Sequence, residues 1–324
     1  MPNSPTRLIT PDQIGLVTLS GLKTNDVLQQ DEFKRLDEAI VAPAREPLRV
    51  GADLISRGMT TDLGEDGYLS SMQLDWQNST EVSAATLTMD AETQTPQDRV
   101  EFNTFSVPLP LALREFRIGD RNLRQSRKLG QPLNTVNAER AAFQVSLKIE
   151  DMIVNGDSAF SFNGRSVEGL TTAANRITTT FGTNGAWNLA AKTGENILDD
   201  VLTNIQAEED NNFFGEYVVV APRDASTKLR EDFKANSSLS TLQRINETEG
   251  VAGVIISSRL ATGNVLMYKV GSGSIEVLSG FEPQVVSWDS ARGPFATNWA
   301  VLAGMSVRVH TNGANTKSPI VHMT

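Results

Sequence analysis

The 324-residue sequence contains no cysteine. Disulfides, thiolate nucleophiles and cysteine metal sites are therefore excluded, as in proteins of reducing compartments. Only two histidines occur, His310 and His322, both near the C-terminus. No His-Glu-x-x-His helix exists, no phosphate-binding glycine loop sits at a strand-to-helix junction, and no G-x-S-x-G elbow is present. No apolar run approaches the roughly 20 residues that cross a bilayer. Met1 to Thr10 lacks the apolar core of a signal peptide, so the expectation is a soluble protein assembled in the cytoplasm, without a membrane partner. Positive charge is also short: 29 Lys and Arg stand against 39 Asp and Glu, a net charge of −10. Gripping nucleic acid takes a basic face that neutralises phosphates, so that role is disfavoured. Enclosing nucleic acid without gripping it, and without reading its sequence, is not.

What is present is ordinary globular material, 39% apolar and 21% charged, enough to fold. Periodicity divides it into five regions. In residues 1–60, Phe33, Leu36 and Ile40 recur at helical spacing and predict a helix from Asp31 to Ala42, stopped by Pro43 and Pro47. The flanks offer little apolar surface, so this region reads as an arm that needs a partner. In residues 61–107, Tyr68, Met72, Leu74 and Trp76 alternate with polar residues at strand period. Asn78-Ser79 reads as a turn. Val82, Ala84, Leu87 and Met89 follow, and a strand through Val100, Phe102 and Thr104 completes a long β-hairpin. A hairpin projecting alone is marginal in water and should pack on a neighbour.

Residues 108–170 contain the strongest helix, 135–155, with Ala138, Ala141, Ala142, Val145, Ile149, Met152 and Ile153 on one stripe. Asn134 is its candidate cap and Gly156 its stop. Residues 171–285 read helix (196–208), strand (217–221), helix (222–229) and strands near 254–257, 265–270 and 275–278. Residues 286–324 carry strands 299–302 and 305–309, broken at Gly304, and a short polar end. The order makes an α+β chain.

The chemistry-bearing residues read blandly. His310 is one polar position in an alternating strand and lacks the oriented partner that a general base needs. Asp199, Asp200, Glu208, Glu209 and Asp210 read as a solvated helix face, not a cation site. Arg114, Arg117, Arg121 and Arg124, at spacings of three and four, would line one helix face. They are candidates for contact with an acidic neighbouring subunit or with DNA phosphates, against the plain alternative of a solvated face.

The order of parts resembles the tailed-bacteriophage major capsid proteins of the Hong Kong 97 type and their relatives, the encapsulins. Val107-Pro108-Leu109-Pro110 leads out of the hairpin. Glu150-Asp151-Met152-Ile153-Val154-Asn155-Gly156 is similar to the end of the encapsulin spine helix. Val167-Glu168-Gly169-Leu170 resembles the step after it, and Phe214 to Val220 the strand that opens the axial domain. The resemblance implies an N-terminal arm (1–60), an extended β-hairpin loop or E-loop (61–107), a peripheral domain (108–190 and 286–324) with spine helix 135–155, and an axial domain (191–285). It also implies a homo-oligomeric shell of pentamers and hexamers around double-stranded DNA in a virion, with no enzymatic activity and no cofactor. Portal and scaffolding proteins are the expected partners, with a decoration protein as an optional one. About thirty residues precede the arm helix, too few for a fused scaffold, so the scaffold should be separate. Phe33, Leu36, Tyr68, Met72, Leu74, Trp76 and the four arginines are the candidate intersubunit contacts. An encapsulin compartment holding a cargo enzyme is the alternative. The extra length in the hairpin and around 171–195 favours the phage reading. A soluble α+β enzyme working with carboxylates alone is a third reading, which a monomer in size-exclusion chromatography would favour.

Some family members join a hairpin lysine to a neighbour's asparagine. Here no lysine lies between Lys34 and Lys128. Denaturing gels of assembled material should therefore show a single band; a ladder of resistant multimers would contradict this.

Overall fold

A computed structural model of the chain describes residues 30–45, 47–79, 99–119, 135–235, 237–271, 273–289, 296–312 and 316–324, with positions 85, 87, 89, 125 and 128 between them. The helices are α1 (Gln30–Arg45), α2 (Val50–Ser56), α3 (Gly64–Ser70), α4 (Val136–Asn155), α5 (Gly194–Glu209), α6 (Ser226–Arg230) and α7 (Thr241–Asn246). The strands are β1 (Thr60–Asp62), β2 (Gln73–Ser79), β3 (Phe102–Pro108), β4 (Leu111–Gly119), β5 (Asp157–Phe162), β6 (Arg165–Val167), β7 (Ile177–Thr179), β8 (Tyr217–Pro222), β9 (Val251–Ser257), β10 (Val265–Lys269), β11 (Ile275–Asp289), β12 (Ala296–Val309) and β13 (Ile320–Met323).

Two larger sheets form, ordered β1-β11-β12-β4 and β7-β13-β10-β8-β9. The spine helix α4 lies between them. Ala138, Ala141 and Ala142 are small enough for α1 and the first sheet to approach closely, while Val145, Ile149 and Ile153 join a core shared with Val218, Leu266 and Tyr268 of the second sheet. A second cluster packs Ile197, Val201 and Ile205 of α5 on the other face of that sheet.

Two glycines set the end of the spine. Gly156 closes α4 with φ of 71°, its N–H bonded to the Met152 carbonyl, in the left-handed region that glycine adopts without strain. A Cβ on Gly169 would lie 2.2 Å from the Gly156 nitrogen, so the two backbones meet where no other residue fits. The chain then bonds back along the helix, Leu170 N–H to Ile153 O and Thr171 N–H to Val154 O, each at 2.9 Å.

Several expectations are corrected. The arm helix continues through Pro43 to Arg45, and Ile40 and Ala44 are buried in the main core, so its C-terminal half packs on its own chain. Tyr68 is not on a strand. It sits in α3, with 1% exposure, ringed by Phe281, Leu278 and Leu302. A Cβ on Gly280 would lie 2.4 Å from the Tyr68 side chain, and one on Gly304 2.8 Å from it. Gly304 therefore leaves room for a ring inside a continuous strand and does not break it. Asn78 and Ser79 extend β2 opposite Asn103 and Phe102, with no turn there. The basic segment 111–119 is a strand, because Ala112, Phe116 and Ile118 turn to the core and Phe116 stacks on Trp299 at 6.5 Å. The whole of β11 from Ile275 pairs in the first sheet, and the C-terminal β13 is buried in the second. Asn134, Val82 and Ala84 lie outside the described residues.

The acids of α5 are not one solvated face. Asp200 is 2% exposed. It pairs with the buried Lys192 ammonium at 2.6 Å and accepts from Trp187 Nε1 at 2.8 Å and Gly182 N at 3.0 Å. This pins the 182–192 loop to the helix. Breaking such a buried pair typically costs about 3–5 kcal/mol. Glu208 is fully buried, and neither carboxyl oxygen has a hydrogen-bond partner. Burial pushes its pKa from 4.5 up to about 8, with Lys269 pulling weakly the other way.

The folded chain therefore holds a proton on Glu208 that the unfolded chain releases, so stability falls as pH rises from 4.5 towards 8. Glu208→Gln, with no charge to bury, should melt several degrees above the wild type at pH 8 and close to it at pH 5. Thermal denaturation at the two pH values measures this, and an equal shift at both would contradict it.

Candidate assembly surface

The β2–β3 ribbon leaves the body at Gln73 opposite Pro108 and is described as far as Ser79 opposite Phe102. Its two faces differ. Leu74 and Trp76 are half-buried over the cluster of Tyr68, Val107, Leu109, Leu278, Phe281 and Leu302, and Trp76 stacks on Phe105 at 6.0 Å. Outside this root, Met72 is 69% exposed and Phe102 67%, and Leu87 and Met89 are fully exposed.

Polar contacts fix how the ribbon leaves the body. The Arg308 guanidinium lies 5.5 Å from the Trp76 ring and pairs with Glu276. Glu276 also accepts from the Thr61 hydroxyl at 2.9 Å and lies 3.2 Å from His310 Nε2. Asn78 donates to Thr311 Oγ1 at 3.2 Å, and Asn163 to Gln73 Oε1 at 2.9 Å. Burial opposes the Glu276 carboxylate, but Thr61 and Arg308 outweigh it and hold its pKa below the usual carboxylate value. Burial, then Arg308, pushes the His310 pKa down. His310 does have an oriented partner, Glu276, which the sequence did not reveal. Its surroundings are those of a hairpin root.

The candidate contact residues divide accordingly. Tyr68 is enclosed by its own chain and is unavailable to a neighbour. Leu74 and Trp76 are turned largely inward, whereas Met72 is open. Phe33 and Leu36 lie on α1, but their side chains are outside the described residues, as are Arg121 and Arg124. Arg114 and Arg117 are exposed on β4, the edge strand of the first sheet. A spacing of three places them on opposite faces of a strand, so they do not form one stripe. Among the described residues, no cluster of three or more His, Asp and Glu is placed to hold a metal. No helix of the described residues is long and apolar enough to cross a membrane. Sequence reasoning missed Leu87 and Met89 as the most open apolar positions, although both had been placed on the hairpin.

A family model described as a family of unknown function (DUF6260) matches residues 23–323. The chain belongs to that family. No curated protein sequence matches. Among solved structures, the capsid of Myoviridae phage XM1 superposes with a TM-score of 0.64 at 15% identity, over 84% of this chain and 91% of that one. The virus-like particle from Pyrococcus furiosus gives 0.62 at 13%, over 90% and 99%. The capsid of the native GTA particle gives 0.59 at 12%, over 96% and 97%. The fold is thus the Hong Kong 97-type capsid fold, α+β, as the order of parts in the sequence implied. Identities this low carry the architecture and leave function to be argued from the surfaces.

Replacing Arg308 by Met keeps the apolar stem and removes the charge that holds Glu276 and covers Trp76. Loss of such a part-buried contact should cost about 1–3 kcal/mol. Hydrogen exchange should rise selectively in 73–79 and 102–108. Unchanged exchange there would show that the root contact does not hold the ribbon.

Proposed function

We propose that this chain is a major capsid protein that assembles through pentamers and hexamers into a shell around phage double-stranded DNA. One observation carries the reading. In a fold shared with capsid structures, the chain carries the β2–β3 ribbon with Phe102 at its described end and Met72 at its root, and these two, with Leu87 and Met89 from the segment that joins the strands, are exposed. Burying each such side chain is worth about 1.5–3 kcal/mol, and the surface that buries them is on a sister copy. Repeated head-to-tail contacts of this kind close into rings and, with curvature, into shells. Each contact can be modest because many act together.

In this reading β1, β4, β11, β12 and the spine form the peripheral domain, residues from about 177 to 270 with β13 form the axial domain, and 73–108 is the E-loop. The chain is a structural protein of the virion and performs no catalysis. Portal, a separate scaffolding protein and an optional decoration protein are its further partners. Arg114 and Arg117 contact a neighbouring subunit. The similarity covering 99% of the Pyrococcus furiosus virus-like particle chain supports a second reading, a compartment holding a cargo enzyme. Neighbouring genes for terminase and portal, against one for a ferritin-like or peroxidase cargo, separate the two.

Negative-stain microscopy of the expressed chain should show closed shells or pentamer and hexamer rings. Featureless small particles, with a monomer in size-exclusion chromatography, would overturn the proposal. Arg114→Glu with Arg117→Glu should leave the subunit folded and lower shell yield.

A further inference from the structure

We infer that a cavity at the root of the ribbon is a binding site for a small uncharged molecule with a branched or saturated-ring body and one oxygen acceptor. Four stretches of chain wall the cavity: the β2–β3 ribbon, the β5–β6 turn, the loop 173–175, and the end of β12 together with Ser318. An occupant therefore touches the ribbon and the body at once. The inference does not depend on the shell reading.

The cavity holds about 260 Å³. An apolar cavity of about 150 Å³ takes benzene, so this one suits on the order of ten non-hydrogen atoms. Val107, Ala173, Val307 and Val309 supply an apolar lining. The aromatic rings in the wall are already engaged: Trp76 stacks on Phe105 at 6.0 Å, and the Arg308 guanidinium lies 5.5 Å from the Trp76 ring. What the wall offers an occupant is mostly methyl groups, which suit a branched or saturated body better than a flat ring. Two polar atoms of the lining residues are open. Ser318 is 1% exposed, and among the described residues its Oγ has no hydrogen-bond partner. The buried Nε of Arg308 has none either. Both residues are held by other bonds, Arg308 to Glu276 and the Ser318 N–H to the Asn175 carbonyl at 2.8 Å. Buried donors in native proteins nearly always have a partner, whether protein, water or ligand.

An N–H and an O–H both seek an acceptor, so the missing partner is an oxygen. Charge about the cavity is already balanced, Arg165 against Glu168 and Arg308 against Glu276. A carboxylate or an ammonium would bring an uncompensated charge into a largely apolar space, which burial opposes. A hydroxyl or carbonyl oxygen meets the two donors without adding one. Water also meets them, but it leaves the valines wet, and an apolar body that displaces it gains from their burial. A mostly apolar pocket with a few convergent polar groups is the common form of a small-molecule site.

Cyclohexanol is the probe. Titrated onto the full unassembled chain in a calorimeter, it should bind saturably with a Kd on the order of 1 mM. Cyclohexylamine and cyclohexanecarboxylate, its cationic and anionic counterparts, should bind about tenfold more weakly. S318A should melt no lower than the wild type, because it deletes a hydroxyl that has no partner, yet bind cyclohexanol about fivefold more weakly. A174F, which fills the cavity from an exposed loop position, should abolish binding. Bound cyclohexanol should also slow hydrogen exchange in 73–79 and 102–108, where the ribbon forms the wall. The absence of saturable binding would mean that water alone fills the cavity and would overturn the inference. Equal binding of the charged probes, undiminished binding by either variant, or binding without protection of the ribbon would overturn it as well. None of these measurements needs a shell, so the shell reading stands or falls separately.

Discussion

The buried stripe of the spine helix is the contact on which the two sheets, the arm and the hairpin are all hung. Alanines at its start admit α1 and the first sheet at close range, and β-branched residues further along reach the second sheet. The same helix supplies a polar fastener. Glu150, 1% exposed, takes the otherwise orphaned N–H groups of Val50 and Gly51 at the start of α2. Burial raises the Glu150 pKa and those backbone bonds oppose the rise. One element therefore fixes the core and the entry of the arm together. A slip of one turn would misplace both, because the stripe and the carboxylate sit on one rigid helix.

The spine was legible because its period holds for five turns and ends on a glycine whose backbone must turn left-handed. Local pattern failed where tertiary neighbours decide. Arginines at 114, 117, 121 and 124 fit a helix as well as a strand, and what settles 111–119 is the pairing of every residue from Leu111 to Gly119 with β12. Tyr68 shares the even-numbered positions of Met72, Leu74 and Trp76 but lies before the strand, which begins at Gln73. Its real place depends on Gly280 and Gly304, more than two hundred residues away. Asp200 looked solvated because its partners, Lys192 and Trp187, lie in a loop with no periodicity. Glu208 gave no signal, since a buried carboxyl without a partner violates the rule by which acids are placed on surfaces.

The candidate surface was legible in part for the same reason. Alternation located the hairpin and singled out Met72, which is exposed beside its root. Which side of the ribbon faces inward depends on Arg308, Glu276 and the cluster beneath it, and Arg308, Glu276, Leu278, Phe281 and Leu302 come from strands distant in sequence.

Copies that each carry a charge of −10 ought to repel, and the proposed shell must reconcile that with close contact. Screening supplies the reason. At physiological salt, charges farther apart than about 8 Å scarcely feel one another, so the repulsion between whole subunits is weak. Groups brought into direct contact interact almost undiminished. What matters is then the local pairing of unlike patches. Such pairing gives attraction where surfaces fit and repulsion where they slip. Acids close in sequence to the exposed Leu87 and Met89 also disfavour pairing of that segment with its own counterpart. On this argument the acidic composition favours ordered association over aggregation.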